Sequence, residues 1–178
     1  MPVATLRTDR LVLRPWRLTD VDAVFAYASD PEFFRYLTVP AVETLEEERR
    51  WIDEQLSRDP KVHPAWAITL GDVPIGAIHA LVNRANRVAE MGYGVGRAWW
   101  NQGYTSEAAF AVGNWLFANT GIERLAATAD SRNTASWRVM EKLGMSCDRV
   151  GRGHRVVRGE SADTVYYSIR RYEWEARR

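Results

Sequence analysis

The sequence predicts a mixed α+β fold, in which one sheet of six to seven strands carries helices on both faces. Three observations predict it. Apolar residues recur every second position in several short runs, and near every 3.6 positions in others. These runs follow one another as strands, helix, strand, helix and strands. A chain of 178 residues with no repeat, low-complexity segment or long linker further predicts one compact domain over residues 1–178.

Taken in order, Arg10–Trp16 alternates apolar with charged residues and reads as an opening strand with one buried face. Thr19-Asp20 starts a helix on which Val21, Val24, Phe25 and Ala28 share a side. Pro31 and Pro40 bracket an irregular stretch. Thr44, followed by Glu46, Glu47 and Glu48, opens a helix of three or four turns through Trp51, Ile52 and Gln55-Leu56. Acidic groups there suit the positive end of the helix dipole. From Ala65 the period becomes two: Trp66, Ile68 and Leu70, a turn at Gly71-Asp72, Ile75–Ile78, then Val88–Val95. These form a three-stranded meander. A turn over Arg97–Gly103 leads into a helix whose Ala108, Val112, Trp115 and Leu116 share a face. Arg124–Ala129 reads as a strand, Asn133 begins a helix that Gly144 ends, and Ser146–Arg152 and Asp163–Arg170 close the sheet.

Composition excludes several classes of function. Lys+Arg 24 against Asp+Glu 23 give a net charge of +1, without the global basic field of a dedicated nucleic-acid binder. The chain lacks an apolar run of about 18 residues, and Met1–Arg7 lacks the features of a signal peptide. A cytoplasmic protein without a membrane partner is expected. Cys147 is alone, and His63, His79 and His154 lack metal-ligand spacing, so neither a disulfide nor a metal is expected.

Two segments carry candidate chemistry. Tyr93-Gly94-Val95 runs through a glycine-punctuated turn, Asn101-Gln102-Gly103-Tyr104-Thr105-Ser106, into a helix. Free N–H groups and the positive dipole end at such a turn suit a pyrophosphate, and equally fit an ordinary strand-to-helix connection. In the helix after Asn133, Ser136 shares the inward face with Val139, Met140 and Leu143. A small residue where helices pack closely explains Ser136 as well as a catalytic hydroxyl does, and Asn133 is first a helix cap.

Together these residues resemble the GNAT superfamily of acetyl-CoA-dependent N-acetyltransferases, and within it the ribosomal-protein N-terminal acetyltransferases. The resemblance runs from Thr8–Pro15 through Ile75-Gly76, Glu90–Tyr93 and Gln102–Ala108 to Asn133–Ser136, Glu141–Met145, Asp163 and Tyr167. It implies a mostly antiparallel twisted sheet and acetyl-CoA as co-substrate. It further implies that Tyr93, Gly94 and Val95 pair by backbone with the pantetheine arm, as an added strand would. Asn101, Gln102, Gly103, Tyr104, Thr105 and Ser106 would cradle the pyrophosphate, and Asn133 would bond the arm near its thioester. Two loop positions depart from the family pattern, Ala98 and Asn101, and Asn tolerates positive φ better than most residues. Many members carry a proton-donating Tyr where this chain has Met140; the branch it resembles uses a helix Ser, which maps to Ser136.

An amine attacks a thioester only when neutral, so Glu90, beside the cofactor strand, is the candidate general base, with a salt-bridged strand Glu as its plain alternative. The Val95 N–H would hold a developing oxyanion. Phe33, Phe34, Tyr36, Trp51 and Glu46–Glu48 are the candidate acceptor contacts, the glutamates reading equally as a solvated first helical turn. The acceptor is a primary amine, of a protein N-terminus or a small molecule. Arg149, Arg152, Arg155 and Arg158 form a basic cluster suited to RNA, to an acidic substrate or simply to an exposed hairpin. A non-catalytic acetyl-CoA-binding module is the alternative that Ala98, Asn101 and Met140 leave open. Exposed aromatics would fit a homodimer.

Overall fold

The structure, a computed structural model, describes residues 3–177. Its elements are β1 (Leu6–Arg7), β2 (Val12–Arg14), α1 (Val21–Ala28), α2 (Leu45–Ser57), β3 (Ala65–Leu70), β4 (Val73–Asn83) and β5 (Val88–Val95). They continue with α3 (Tyr104–Asn119), β6 (Arg124–Asp130), α4 (Thr134–Lys142), β7 (Ser146–Val157), β8 (Glu160–Arg170) and α5 (Arg171–Glu175). The eight strands form a single sheet in the order β1-β2-β3-β4-β5-β6-β8-β7. All neighbours run antiparallel except β5 and β6.

The strand count exceeds the expected six to seven because Leu6–Arg7 pairs with Leu13 and Val12. Two residues are too short to show a period. The closing strands also extend further, to Val157 and from Glu160, as a hairpin whose charged residues conceal its alternation. α5 has five residues and no periodic signature. Among the described residues no helix is long and apolar enough to cross a membrane.

Local chemistry sets the helix ends. Thr44 Oγ1 accepts from Glu47 N at 3.2 Å while Glu47 Oε2 accepts from Thr44 N at 3.3 Å, a reciprocal cap at the start of α2. Gly144, at φ 81°, ends α4, its N–H donating to Glu141 O.

The two sheet faces differ in cover. On one, Ile78, Ala80, Ala89, Met91, Leu125 and Ala127 lie buried with Ala108, Ala109, Val112 and Leu116 of α3 in one core. Truncating Leu116 there to alanine costs about 2–5 kcal/mol by cavity formation. On the other, α1 and α2 pack Val24, Tyr27 and Ile52 against Trp16 and Ala67. That second layer covers the β2–β4 side only. The same face of β5, β6, β8 and β7 stays open as a groove of about 710 Å³.

One charge pair anchors the covered end. Arg14, only 4% exposed although alternation places it opposite the buried Leu13, donates to both Asp20 carboxylate oxygens at 2.8 Å. Asp20 also accepts from Arg17 N, so the strand-to-helix turn is held by a buried, bidentate charge pair.

Candidate functional site

The central geometric feature is the divergence of β5 from β6. Their pairing covers only Val88↔Arg124, Ala89↔Leu125 and Glu90↔Ala126. Beyond Glu90, β5 keeps β4 as its partner while β6 continues beside β8 to Asp130. Gly96 N donates to Ile75 O at 2.9 Å, which fixes the phase of the β4–β5 ladder. Hydrogen-bonded and open residues alternate in such a ladder. Gly92 and Gly94 therefore turn their backbone groups to His79 and Ala77, while Tyr93 and Val95 turn theirs away from β4 into the opening. Of the three residues expected to pair with an extended ligand, Tyr93 presents its edge and Val95 its N–H, the Val95 carbonyl accepting from Trp100 Nε1 at 2.8 Å. Gly94 contributes by lacking a side chain, since a Cβ there would lie 3.2 Å from the Phe33 ring.

The opening leads to the turn before α3. Asn101 adopts φ 60° and Gly103 φ 82°, so the departure at Asn101 falls on a residue type that tolerates this conformation. No side chain caps α3, so the N–H groups of Tyr104, Thr105 and Ser106 lack intrahelical partners and face outward. The exposed Gln102 braces the loop, its Nε2 donating to Ala98 O at 3.0 Å.

Sequence reasoning missed Arg10 as part of this corner. Its Nη1 donates to Gln102 O at 3.0 Å, its guanidinium stands 4.5 Å from the Tyr104 ring centre, and it pairs with Glu107 at 2.7 Å. Glu107 also accepts from Thr8 Oγ1 at 2.5 Å and from Arg10 N. Burial acts to raise the Glu107 carboxyl, but these donors and the Arg10 charge hold it below the usual range. A hairpin residue ninety-odd positions from a turn gives no local signal, which is why its place there was not legible.

α4 closes the far side of the opening. Asn133 Oδ1 accepts from Ser136 N at 3.2 Å, so Asn133 is the helix cap, with its amide nitrogen still available. Ser136 is half-buried, and its side chain lies in hydrogen-bond reach of the Tyr93 hydroxyl. Tyr93 Oη donates to Ser136 O at 3.0 Å, joining β5 to α4. Burial raises the Tyr93 hydroxyl to about 12, against a lowering by the Ser136 side chain. Met140 is 1% exposed and belongs to the core.

Glu90 lies on the opposite sheet face from Ala89 and Met91, at the apex of the divergence. It is not brought beside Ser136; the two stand on either side of the sheet, with the opening between them. Thr128 Oγ1 donates to Glu90 Oε1 at 3.1 Å and accepts from Arg155 Nη2 at 2.5 Å.

The expected acceptor contacts divide. Phe33 stands over Gly94 and packs on Tyr27 and Phe34, with ring centres 5.3 and 5.0 Å away. Trp51 instead packs edge-on against Trp16 inside the α1–α2 layer. Glu46 and Glu47 are exposed, but Glu48 is 1% exposed, a departure from a solvated first turn, because it shares the inward stripe of Ile52 and Gln55. Its Oε1 and the Tyr27 hydroxyl are buried without partners among the described residues. Burial pushes the Glu48 carboxyl up to about 7. Burial, then the charges of Glu48 and Asp20, push the Tyr27 hydroxyl well above its ordinary value.

Comparison with known proteins agrees with this geometry. The family described as "Acetyltransferase (GNAT) domain" matches residues 10–146. N-acetyltransferase YoaA of Bacillus subtilis (strain 168) is 33% identical over 169 residues, 92% of this chain and 95% of that protein. A GNAT-family acetyltransferase from Bacillus anthracis superposes with a TM-score of 0.84 at 27% identity, covering 94% of this chain and 98% of its own. The ribosomal L7/L12 alpha-N-protein acetyltransferase RimL, solved with coenzyme A, has the same fold at TM-score 0.86 and 18% identity, covering 94% and 98%.

Proposed function

The chain belongs to the GNAT acetyltransferase family, and from that premise we propose that it moves the acetyl group of acetyl-CoA to a primary amine by direct transfer in a ternary complex. The acyltransferase activity follows from the family and its named relatives. The assignment of residues rests on one observation above the rest: β5 turns the backbone edge of Tyr93 and the N–H of Val95 into an opening that ends at uncapped helical N–H groups.

Bound acetyl-CoA supplies an activated acyl group on a thioester. Tyr93 and Val95 hold its arm through their backbone edges, as an added strand is held. Asn101 to Ser106 receive its pyrophosphate at the positive end of α3, and the Asn133 amide nitrogen reaches the arm from the α4 side. Glu90 takes the proton of the acceptor ammonium, because only the neutral amine is nucleophilic. Ser136 Oγ, beside the Tyr93 hydroxyl, gives a proton to the leaving sulfur. The residues for base and acid stand on opposite sides of the sheet, so attack and departure proceed from opposite sides of the opening. Val95 N–H is directed to stabilise charge on the carbonyl oxygen. The acceptor is an amine of a protein N-terminus or of a small molecule, approaching on the open face beside Phe33.

The departures at Asn101 and Met140 do not favour a non-catalytic binding module. Asn101 takes the conformation the turn needs, and Ser136 offers a hydroxyl where Met140 has none. The test is thiol release from acetyl-CoA with N-terminal peptides and small amines. Release with at least one acceptor class is expected, with kcat lowered by about 10²-fold or more in Ser136→Ala and in Glu90→Gln. Coenzyme A binding without release for any amine would overturn the reading.

A further inference from the structure

The proposed chemistry leaves the open groove unused beyond Glu90. Its charged lining is Glu90, Asp148, Arg124, Arg149 and Arg155. None of these three arginines has an ion-pair partner among the described residues, whereas Arg10, Arg87, Arg132 and Arg152, also on the surface, each hold a carboxylate. Asp148 is already engaged, accepting from Ser168 Oγ at 3.0 Å. Asp130, the buried acid near Arg155, is held by both Nε and Nη2 of Arg132.

Two of the arginines are positioned rather than loose. Arg155 is half-buried and spends one N–H on Thr128. The guanidinium edge that remains is a partly desolvated cation, which an anionic ligand would satisfy. Arg149 lies flat over Tyr166, its guanidinium carbon 3.6 Å from the ring centre, a stacking that leaves its N–H edge available. Arg152 and Arg158 do not join them: the first pairs with Asp163 and the second donates to Pro31 O at 2.6 Å. The four-arginine cluster is thus divided, and the continuous basic stripe that would track an RNA backbone is absent.

Position gives the occupant its polarity. Thr128 bonds to both Arg155 and Glu90, so an anion at Arg155 would lie within a few atoms of an amine at Glu90. From β5 the groove crosses β6 and β8 to β7, about 14 Å at ordinary strand spacing, the span of about four extended residues. A free amino acid would fill only its first part.

Resting on the acetyltransferase reading above, we propose that this groove takes an extended peptide N-terminus whose second to fourth residues are acidic, the amine at Glu90 and the carboxylates at Arg155, Arg149 and Arg124. The experiment measures fluorescence anisotropy of C-terminally labelled peptides beginning Ser-Glu-Glu-Asp or Ser-Gln-Gln-Asn on the coenzyme A-loaded protein. Free glutamate and a polyuridine oligonucleotide serve as competitors. Binding about tenfold tighter for the acidic peptide is expected. Arg155→Gln and Arg149→Gln should each remove most of that preference, and Arg50→Gln, on the exposed α2 surface, none of it. Equal affinity for the two peptides, a preference that survives both groove variants, or tighter displacement by glutamate or polyuridine would overturn the proposal. Thiol release measured in parallel separates the two readings. Acetylation of amines without an acidic preference sinks only the groove assignment. An arginine-dependent acidic preference without acetylation of any amine sinks only the transferase reading.

Discussion

Replacing Glu48 with glutamine should stabilise the protein, and by more at pH 8 than at pH 5. Glu48 is 1% exposed with one carboxylate oxygen unpartnered, and burial raises its carboxyl to about 7. The unfolded chain loses this proton near pH 4.3, so between the two values the folded state holds a proton the unfolded state has released. Stability therefore falls as pH rises through that window, and the cost persists above it. At about 1.4 kcal/mol per unit, the cost is about 1 kcal/mol at pH 5 and about 3 kcal/mol at pH 8. Glu48 is the fourth residue of α2, where the helix dipole returns some tenths of a kcal/mol to the ionised form. Urea unfolding followed by tryptophan fluorescence should show the variant gaining about 2 kcal/mol on the parent between pH 5 and pH 8. A difference independent of pH, or a variant less stable than the parent at pH 8, would refute the assignment of Glu48 as a buried, unpaired acid.

Two further outcomes test the cofactor corner. Gly103→Ala places a Cβ at φ 82° and should cost about 1–2 kcal/mol of stability, with coenzyme A affinity by calorimetry falling severalfold. Glu107→Gln removes the charge that holds Thr8 and Arg10 at the α3 corner and should cost about 1–2 kcal/mol at pH 7. Because the folded Glu107 carboxyl sits below its ordinary range, that contribution is full above the unfolded value. It is lost as pH falls through the folded one. Urea midpoints of parent and variant should converge toward pH 3.

The long elements were legible because their patterns are local. The α3 stripe, the β3–β5 meander, the Thr44 and Asn133 caps and the Gly144 stop each follow from residues within a few positions of one another. The phosphate turn was legible in the same way, since Asn101 and Gly103 announce a left-handed backbone. What the sequence did not reveal depends on distant partners. The burial of Arg14 requires Asp20 and Asp72, the inward turn of Glu48 requires α1, and the place of Arg10 requires Gln102 and Glu107. The division of the arginine cluster is of the same kind. Spacing along β7 and the turn after it shows four cations, and only the hairpin's irregular register decides which two face the groove.

The central claim is that the unpaired half of β5 is the edge on which the cofactor arm is laid. Residue-resolved amide hydrogen exchange with and without coenzyme A tests it most directly. Binding is expected to slow exchange at Tyr93 and Val95, whose N–H groups face the opening, and to change little at Gly92 and Gly94, already bonded to β4. Coenzyme A binding that leaves Tyr93 and Val95 unprotected would contradict the account.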